Sequence, residues 1–338
     1  MLKEAYGIPF LYEKTELYTN IHRMKAGITL LRTLLLHDFP SASAVEYFDG
    51  KLYLIGDDAT CILVLDSNYR VVKSIPIADA PGPRMAKTEK PDFEASALIR
   101  WRGASYLLAS GSLATEKRRQ LLLVPLEVEG ATTAPSNNPA VVSATPLSTH
   151  LQRINYPDTF VPQLLATGIR ELNIEGATVI GNTLLLSNRG NDAYPVNQLI
   201  LIANGFWESE QLPPFSVLPL TLLTPTGAFA GVSELCYVPE KDWLLCTLSS
   251  EATTNAYDDG AIGDSYIGWI TDISQKLTHT TLAIDGWLNL AAADAVFKME
   301  KIEGICVERI TEDTLVLHLV SDNDGGESRL FKVALSLK

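Results

Sequence analysis

Helical periodicity is scarce in this sequence, and long apolar runs are missing. No stretch approaches the roughly 18 uninterrupted apolar residues that a membrane-crossing helix needs. The longest candidate, residues 28–36, is broken by Arg32. Residues 1–7 lack an apolar segment ahead of small residues, so no secretory leader is expected and a cytoplasmic home is. Cysteine is sparse: Cys61, Cys236, Cys246 and Cys306 form no Cys-x-x-Cys pair. That excludes a disulfide framework and a zinc knuckle, and leaves four reduced thiols. Positive charge is short, with 27 Lys and Arg against 40 Asp and Glu and a net charge of −13. Nucleic acid and anionic membrane, which reward a basic surface, are therefore not expected partners. There is no Walker loop, no GxSxG elbow, no HExxH and no dinucleotide fingerprint after a strand.

What remains is a globular composition, 46% apolar and 20% charged over 338 residues. Short β-rich runs recur between Gly, Asn, Asp and Pro, as in an all-β sandwich, barrel or propeller. Self-similarity chooses among these. Ser41-Ala42-Ser43-Ala44 aligns with Glu94-Ala95-Ser96-Ala97, and the same offset carries Gly50 onto Gly103 and Tyr53 onto Tyr106. Further copies start at Glu175, Glu234 and Glu303. Each reads as a polar start with a small or apolar residue, a strand, a tight turn and a second strand ending in polar residues. Third strands are expected at 62–65, 121–126, 199–202, 266–271 and 330–335, and fourth strands at 71–77, 141–147, 215–223 and 278–284. The last copy lacks a fourth strand, which residues 28–36 can supply, removing an exposed edge. The expectation is one β-propeller domain over 1–338 with five four-stranded antiparallel blades, closed by its two terminal strands. A sixth, degenerate blade also fits the length.

In such a blade the start of the first strand lies beside the end of the second. Glu94, Glu175, Glu234 and Glu303, with Ser41 in the first blade, are thereby placed in a ring near the axis. Arg189, Asp322 and Asp324, at or beyond second-strand ends, join them on the same face. Connections on that face are long (78–93, 150–174, 251–264 and 285–302), and long loops tend to carry function. Lys87, Lys90 and Arg84 precede Glu94, and Lys298 and Lys301 precede Glu303, so all five could overhang the pocket. The 251–264 loop, with Tyr257, Asp258, Asp259 and Asp264, is a candidate lid. The glutamates have two readings: they stitch blades through backbone N–H groups, or they gather around a cation. Crowded carboxylates repel unless protonated, paired or metal-bound, and Ca²⁺ takes six to eight oxygens. His318, inside a strand, reads as a satisfied core or channel residue. Asp322-Asn323-Asp324-Gly325-Gly326 resembles part of a calcium loop but lacks the EF-hand's closing Glu.

Glu175-Gly176-Ala177 through Leu186-Ser187-Asn188-Arg189-Gly190, and Ile302-Glu303-Gly304-Ile305 through Ser321-Asp322-Asn323-Asp324, resemble repeats of the phytase-like and esterase-like β-propellers. Similar Glu-Gly starts occur in calcium-binding lactonase-type propellers. The resemblance implies a propeller and a phosphoesterase-like activity, with Glu175, Glu303, Arg189, Asp322 and Asp324 as pocket positions. Glu175, Glu303, Asp322 and Asp324 would be the metal ligands. Two functions are carried forward: a Ca²⁺-assisted hydrolase with an axial pocket, and a non-catalytic propeller that binds a small molecule or protein on its long-loop face.

Overall fold

Two-residue turns set the hairpins that begin the first three blades. Asp49 and Gly50 both take left-handed backbone, φ 47° and 77°, as do Arg102 and Gly103, φ 49° and 83°. Such turns match the twist of the strands they join, and Gly adopts the second position without strain. A computed structural model describes residues 26–127, 150–222, 229–255, 260–323 and 326–337.

The chain opens with β1 (Ala26–Leu36). Blade 1 follows as β2 (Ala42–Phe48), β3 (Lys51–Gly56), β4 (Cys61–Asp66) and β5 (Val71–Pro76). Blade 2 is β6 (Phe93–Trp101), β7 (Ala104–Gly111), β8 (Gln120–Pro125) and β9 (Gln152–Asn155). Blade 3 is β10 (Ile174–Ile180), β11 (Thr183–Asn188), β12 (Asn197–Ala203) and β13 (Ser216–Thr221). Blade 4 is β14 (Gly231–Val238), β15 (Trp243–Ala252) and β16 (Ala261–Ile270), then, after β17 (Leu282–Ala283), β18 (Gly286–Asn289). Blade 5 is β19 (Ile302–Ile310), β20 (Thr314–Asp322) and β21 (Ser328–Leu337), completed by β1 lying antiparallel on β21. The described residues thus form five antiparallel blades, closed by the first and last strands as expected.

The innermost strands β2, β6, β10, β14 and β19 pack side by side around the axis. Strand alternation sends successive side chains into different gaps between blades. In β3, Leu52 and Leu54 face blade 5, while Tyr53 and Ile55 face blade 2. Each neighbouring pair of blades encloses its own apolar cluster in this way. Both sheet faces are covered, so the strands read as unbroken apolar runs such as Leu184-Leu185-Leu186, all fully buried. Each such leucine contributes about 1.5–3 kcal/mol.

Two outer strands differ from expectation. The outermost strand of blade 2 is β9; residues 141–147 lie outside the described residues. Within 278–284, only Leu282–Ala283 is strand, and it runs parallel to β13 of blade 3. The fourth strand of blade 4 is β18 instead, because the chain crosses to the blade 3 edge first. It returns where Asp285 N–H donates to Trp269 O (2.9 Å) and Gly286 sits flat against the Trp269 indole. The 251–264 segment is shorter as a loop than expected, because β15 and β16 prolong their hairpin to Ala252 and Ala261. Tyr257, Asp258 and Asp259 lie outside the described residues.

Candidate functional site

Every innermost strand slips its pairing by one residue near its start. The extra residues are Ser43, Glu94, Glu175, Ser233 and Glu303. A bulge re-aims the inserted side chain out of the ladder. Here Glu94, Glu175 and Glu303 line a pocket on the axis, with Asp322 and Arg189 beside them. The next residue in each strand is Ala44, Ala95, Gly176, Glu234 and Gly304. A Cβ on Gly176 would stand 2.7 Å from Glu234 Cα, and one on Gly304 2.9 Å from Val45 N. The position faces the backbone of a neighbouring innermost strand, which accounts for the Glu-small doublets in the sequence.

Glu234 therefore does not join the ring. It occupies the small-residue position of blade 4, and Ser233 occupies the bulge. The Glu234 carboxylate, 1% exposed, accepts from Ala177 N–H of blade 3 and from Leu235 N–H, both at 2.9 Å. It stitches blades, while the other three glutamates face the pocket. Ser41 is also displaced from the ring: the first repeat aligns through Ser43, and Ser41 Oγ accepts from Arg84 (3.1 Å).

Two lysines organise the carboxylates. Lys90 bridges Asp57 and Asp92 (2.8 Å to the latter), and Arg118 also pairs with Asp92 at 2.7 Å. Lys301 bridges Glu303 (3.0 Å) and Glu251 (3.3 Å). Arg189, 7% exposed, spans Glu175 and Glu251, each at 3.2 Å, and donates to Ser249 Oγ at 2.9 Å. Gly231 makes room for it, since a Cβ there would come within 2.4 Å of Arg189 Nε. Asn173 Nδ2 fixes Glu175 at 2.6 Å. Lys87 lines the pocket; exposed Lys298 does not, and Arg84 pairs with Asp58 at 2.7 Å. His318 is fully buried between Tyr69 and Glu308, away from this pocket.

Asp92, Arg118 and Asn173 were not singled out by the sequence. A signal for two of them exists: Ser41, Asp92, Asn173, Gly231 and Lys301 all stand two residues before a bulge. Aligning the repeats on the bulge would have shown that column. Arg118 comes from a short turn at Glu116–Arg118, which no repeat encodes.

The cavity is small, about 100 Å³, and walled almost wholly by charged and amide side chains. Burial pushes Glu94 well above the usual carboxylate range, reinforced by Asp92 and Asp57. Burial also raises Glu303, against the pull of Lys301. Asp57 rises to about 6 through burial, with Lys90 opposing. Glu251 moves the other way: burial would raise it, but Lys301 and Arg189 together hold it below its ordinary value. Glu94 has no hydrogen-bond partner among the described residues. Its carboxyl oxygen and those of Asp57 and Asp92 lie within 4.8 Å of one another, a spacing that could hold a metal ion. Of the ligands expected from the sequence, Glu175, Glu303 and Asp322 line the pocket, and Asp324 lies outside the described residues.

Among solved structures, the chain is similar to Myxococcus xanthus glutaminyl cyclase, with 12% identity, 94% of this chain and 99% of that one covered, and a TM-score of 0.47. It is also similar to Bacillus subtilis arabinanase Arb43A (11% identity, 90% and 96% covered, TM-score 0.42). A third is virginiamycin B lyase from Staphylococcus aureus (8% identity, 93% and 100% covered, TM-score 0.38). Likenesses this distant carry nothing about the chemistry of this chain. No curated protein matches the sequence. Of the resemblance to phytase-like and esterase-like propellers, the propeller architecture stands, and the activity it implies is a matter for proposal. A sequence profile does match residues 38–335, nearly the whole chain, and by that match the protein belongs to the family of unknown function DUF6929.

Proposed function

We propose that the axial pocket is a hydrolytic site that works by carboxyl acid–base chemistry on a small, uncharged polar substrate. The observation that carries this reading is Glu94: a proton-holding carboxyl on the pocket wall with no hydrogen-bond partner among the described residues. It is a donor waiting for an acceptor. Glu251, held ionised by Lys301 and Arg189, is the corresponding carboxylate to orient or deprotonate water. Environments that push two carboxyls apart in this manner divide acid from base roles. The charge balance argues for a neutral substrate. With Glu94 holding its proton, six other carboxyl groups (Asp57, Asp92, Glu175, Glu251, Glu303, Asp322) face five cations (Lys87, Lys90, Arg118, Arg189, Lys301), close to balance. A phosphate would meet no excess of positive charge there, so a glycoside, ester or amide suits the pocket better than the phosphoester implied by the sequence resemblance.

The test is a panel of chromogenic glycosides, esters, amides and phosphomonoesters. Turnover of a neutral substrate should fall as pH rises through the Glu94 value, since the acid must keep its proton. Glu94→Gln, isosteric with the protonated acid, should stay folded and lose about 10²–10⁴-fold in kcat. Full activity in that variant, or turnover of phosphomonoesters alone, overturns the assignment. Ligand binding without turnover would leave the pocket as a small-molecule site on the long-loop face.

A second reading is favoured by the Asp57, Asp92 and Glu94 cluster, where Asp57 Oδ1 is buried without a hydrogen-bond partner among the described residues. These three would hold a Ca²⁺ ion, which would polarise the substrate oxygen. Lys90 competes with it for Asp57 and Asp92. Calcium that raises the Tm of the wild type but not of Asp57→Asn supports this version; no shift at millimolar calcium removes it.

A further inference from the structure

The axis has a second mouth on the opposite face, built from the far ends of the same innermost strands. It opens into a cavity of about 740 Å³. Its wall differs from that of the charged pocket: Leu98, Val179, Val307 and Ile310 give it an apolar lining, with Tyr47 and Tyr237 as aromatic surface. At its inner end is Glu46. Ser96 Oγ reaches one oxygen of Glu46 at 3.3 Å and the buried Glu234 at 3.5 Å, so Ser96 and the two carboxyls separate the mouths. The second oxygen of Glu46 has no partner among the described residues. The other carboxylate deep in the wall, Glu308, is already satisfied by Lys332 (2.6 Å) and His318 (2.7 Å). Rim charges are Glu240 and Arg309, both exposed. The cavity thus offers one unsatisfied acceptor, an acidic excess and an apolar body, and none of these features belongs to the hydrolytic reading.

We propose that this second mouth is a binding site for a small lipophilic amine, whose ammonium pairs with Glu46 while its apolar part covers Leu98, Val179 and Val307. Charge complementarity selects the amine over an acid of the same shape, and the tyrosines add cation–π surface. An ammonium seated on Glu46 requires the carboxylate, whereas burial keeps that carboxyl protonated up to about 8. Binding near neutral pH therefore releases a proton. The other titratable groups facing Glu46 do not supply it. Burial raises the Cys236 and Cys306 thiols and the Tyr47 and Tyr237 phenols, Glu308 is held ionised by Lys332 and His318, and Glu234, also raised by burial, does not line the cavity and keeps its backbone N–H partners. His318 lies behind Glu308, held neutral by burial at about 4.

Calorimetry on the full chain tests this with 2-phenylethylamine and its neutral analogue 2-phenylethanol. The amine should bind about tenfold more tightly, a difference of about 1.4 kcal/mol. Its heat should vary with the ionisation enthalpy of the buffer, the signature of proton release. Glu46→Gln should abolish both the preference and the proton release, with the alcohol still binding. Val179→Trp, which crowds the apolar wall the amine would cover and keeps Glu46, should weaken amine binding at least about tenfold and serves if the first variant does not fold. Equal affinities, no binding at millimolar amine, a preference that survives Glu46→Gln, or amine affinity unchanged by Val179→Trp would overturn the proposal.

Discussion

Single side chains decide how the charge at the axis is held. Arg189 is buried, touches two carboxylates and has its space prepared by Gly231. Arg189→Met should cost about 3–5 kcal/mol in urea denaturation, because Glu175 would be left as a buried charge without its cation and Glu251 would keep only Lys301. Glu46 has the opposite character. Its folded-state value of about 8 lies above the ordinary 4.5, so the folded state holds a proton that the unfolded state releases. Its burial costs nothing below about 4.5, and stability declines as pH rises from there to about 8. Glu46→Gln should match the wild type at the acid end and exceed it at the alkaline end, as melting curves across pH will show. At this scale the sequence revealed a good deal. Glu94, Glu175, Glu303, Arg189 and Asp322 were found in the pocket through their place in the repeat, and Lys90 and Lys301 through their place before it. Asp92 and Arg118 were not, since their contacts with Lys90 and with each other join residues of separate turns.

Individual strands carry the next layer. The bulge at the start of the innermost strands turns Glu94, Glu175 and Glu303 into the axial pocket and sets Gly176 and Gly304 against a neighbouring strand's backbone. Gly304→Ala puts a methyl 2.9 Å from Val45 N, and the strain should cost about 1–3 kcal/mol in the same denaturation experiment. Blade number and hairpin positions were legible because a two-residue turn and a fully apolar strand leave strong local marks. Register was not. The first repeat was offset by two residues and the fourth by one, because a bulge leaves no mark in the hydrophobic pattern and Glu234 imitates its neighbours' glutamates. Outer strands were harder still. Gly286–Asn289 is short and half-buried, and its pairing depends on a detour through the edge of blade 3 that only tertiary contacts dictate.

At the scale of the whole molecule, five apolar clusters lie between blades rather than inside them, so each blade depends on both neighbours. Removing residues 1–36 would strip β1 from β21 and expose an unpaired edge in blade 5. Size-exclusion chromatography should then show association, and the unfolding transition should broaden. The closing pair also imposes an order in time. Ala26 meets Leu337, so one side of this seam is synthesised roughly 300 residues before the other. At about 5–20 residues per second, β1 waits on the order of half a minute on the ribosome for its partner. Blades 1 to 4 can assemble during that interval, but the circle stays open until the final strand is released. Until then the nascent chain presents a ready strand edge to any other copy emerging nearby, which makes the spacing of ribosomes on its message a determinant of its yield.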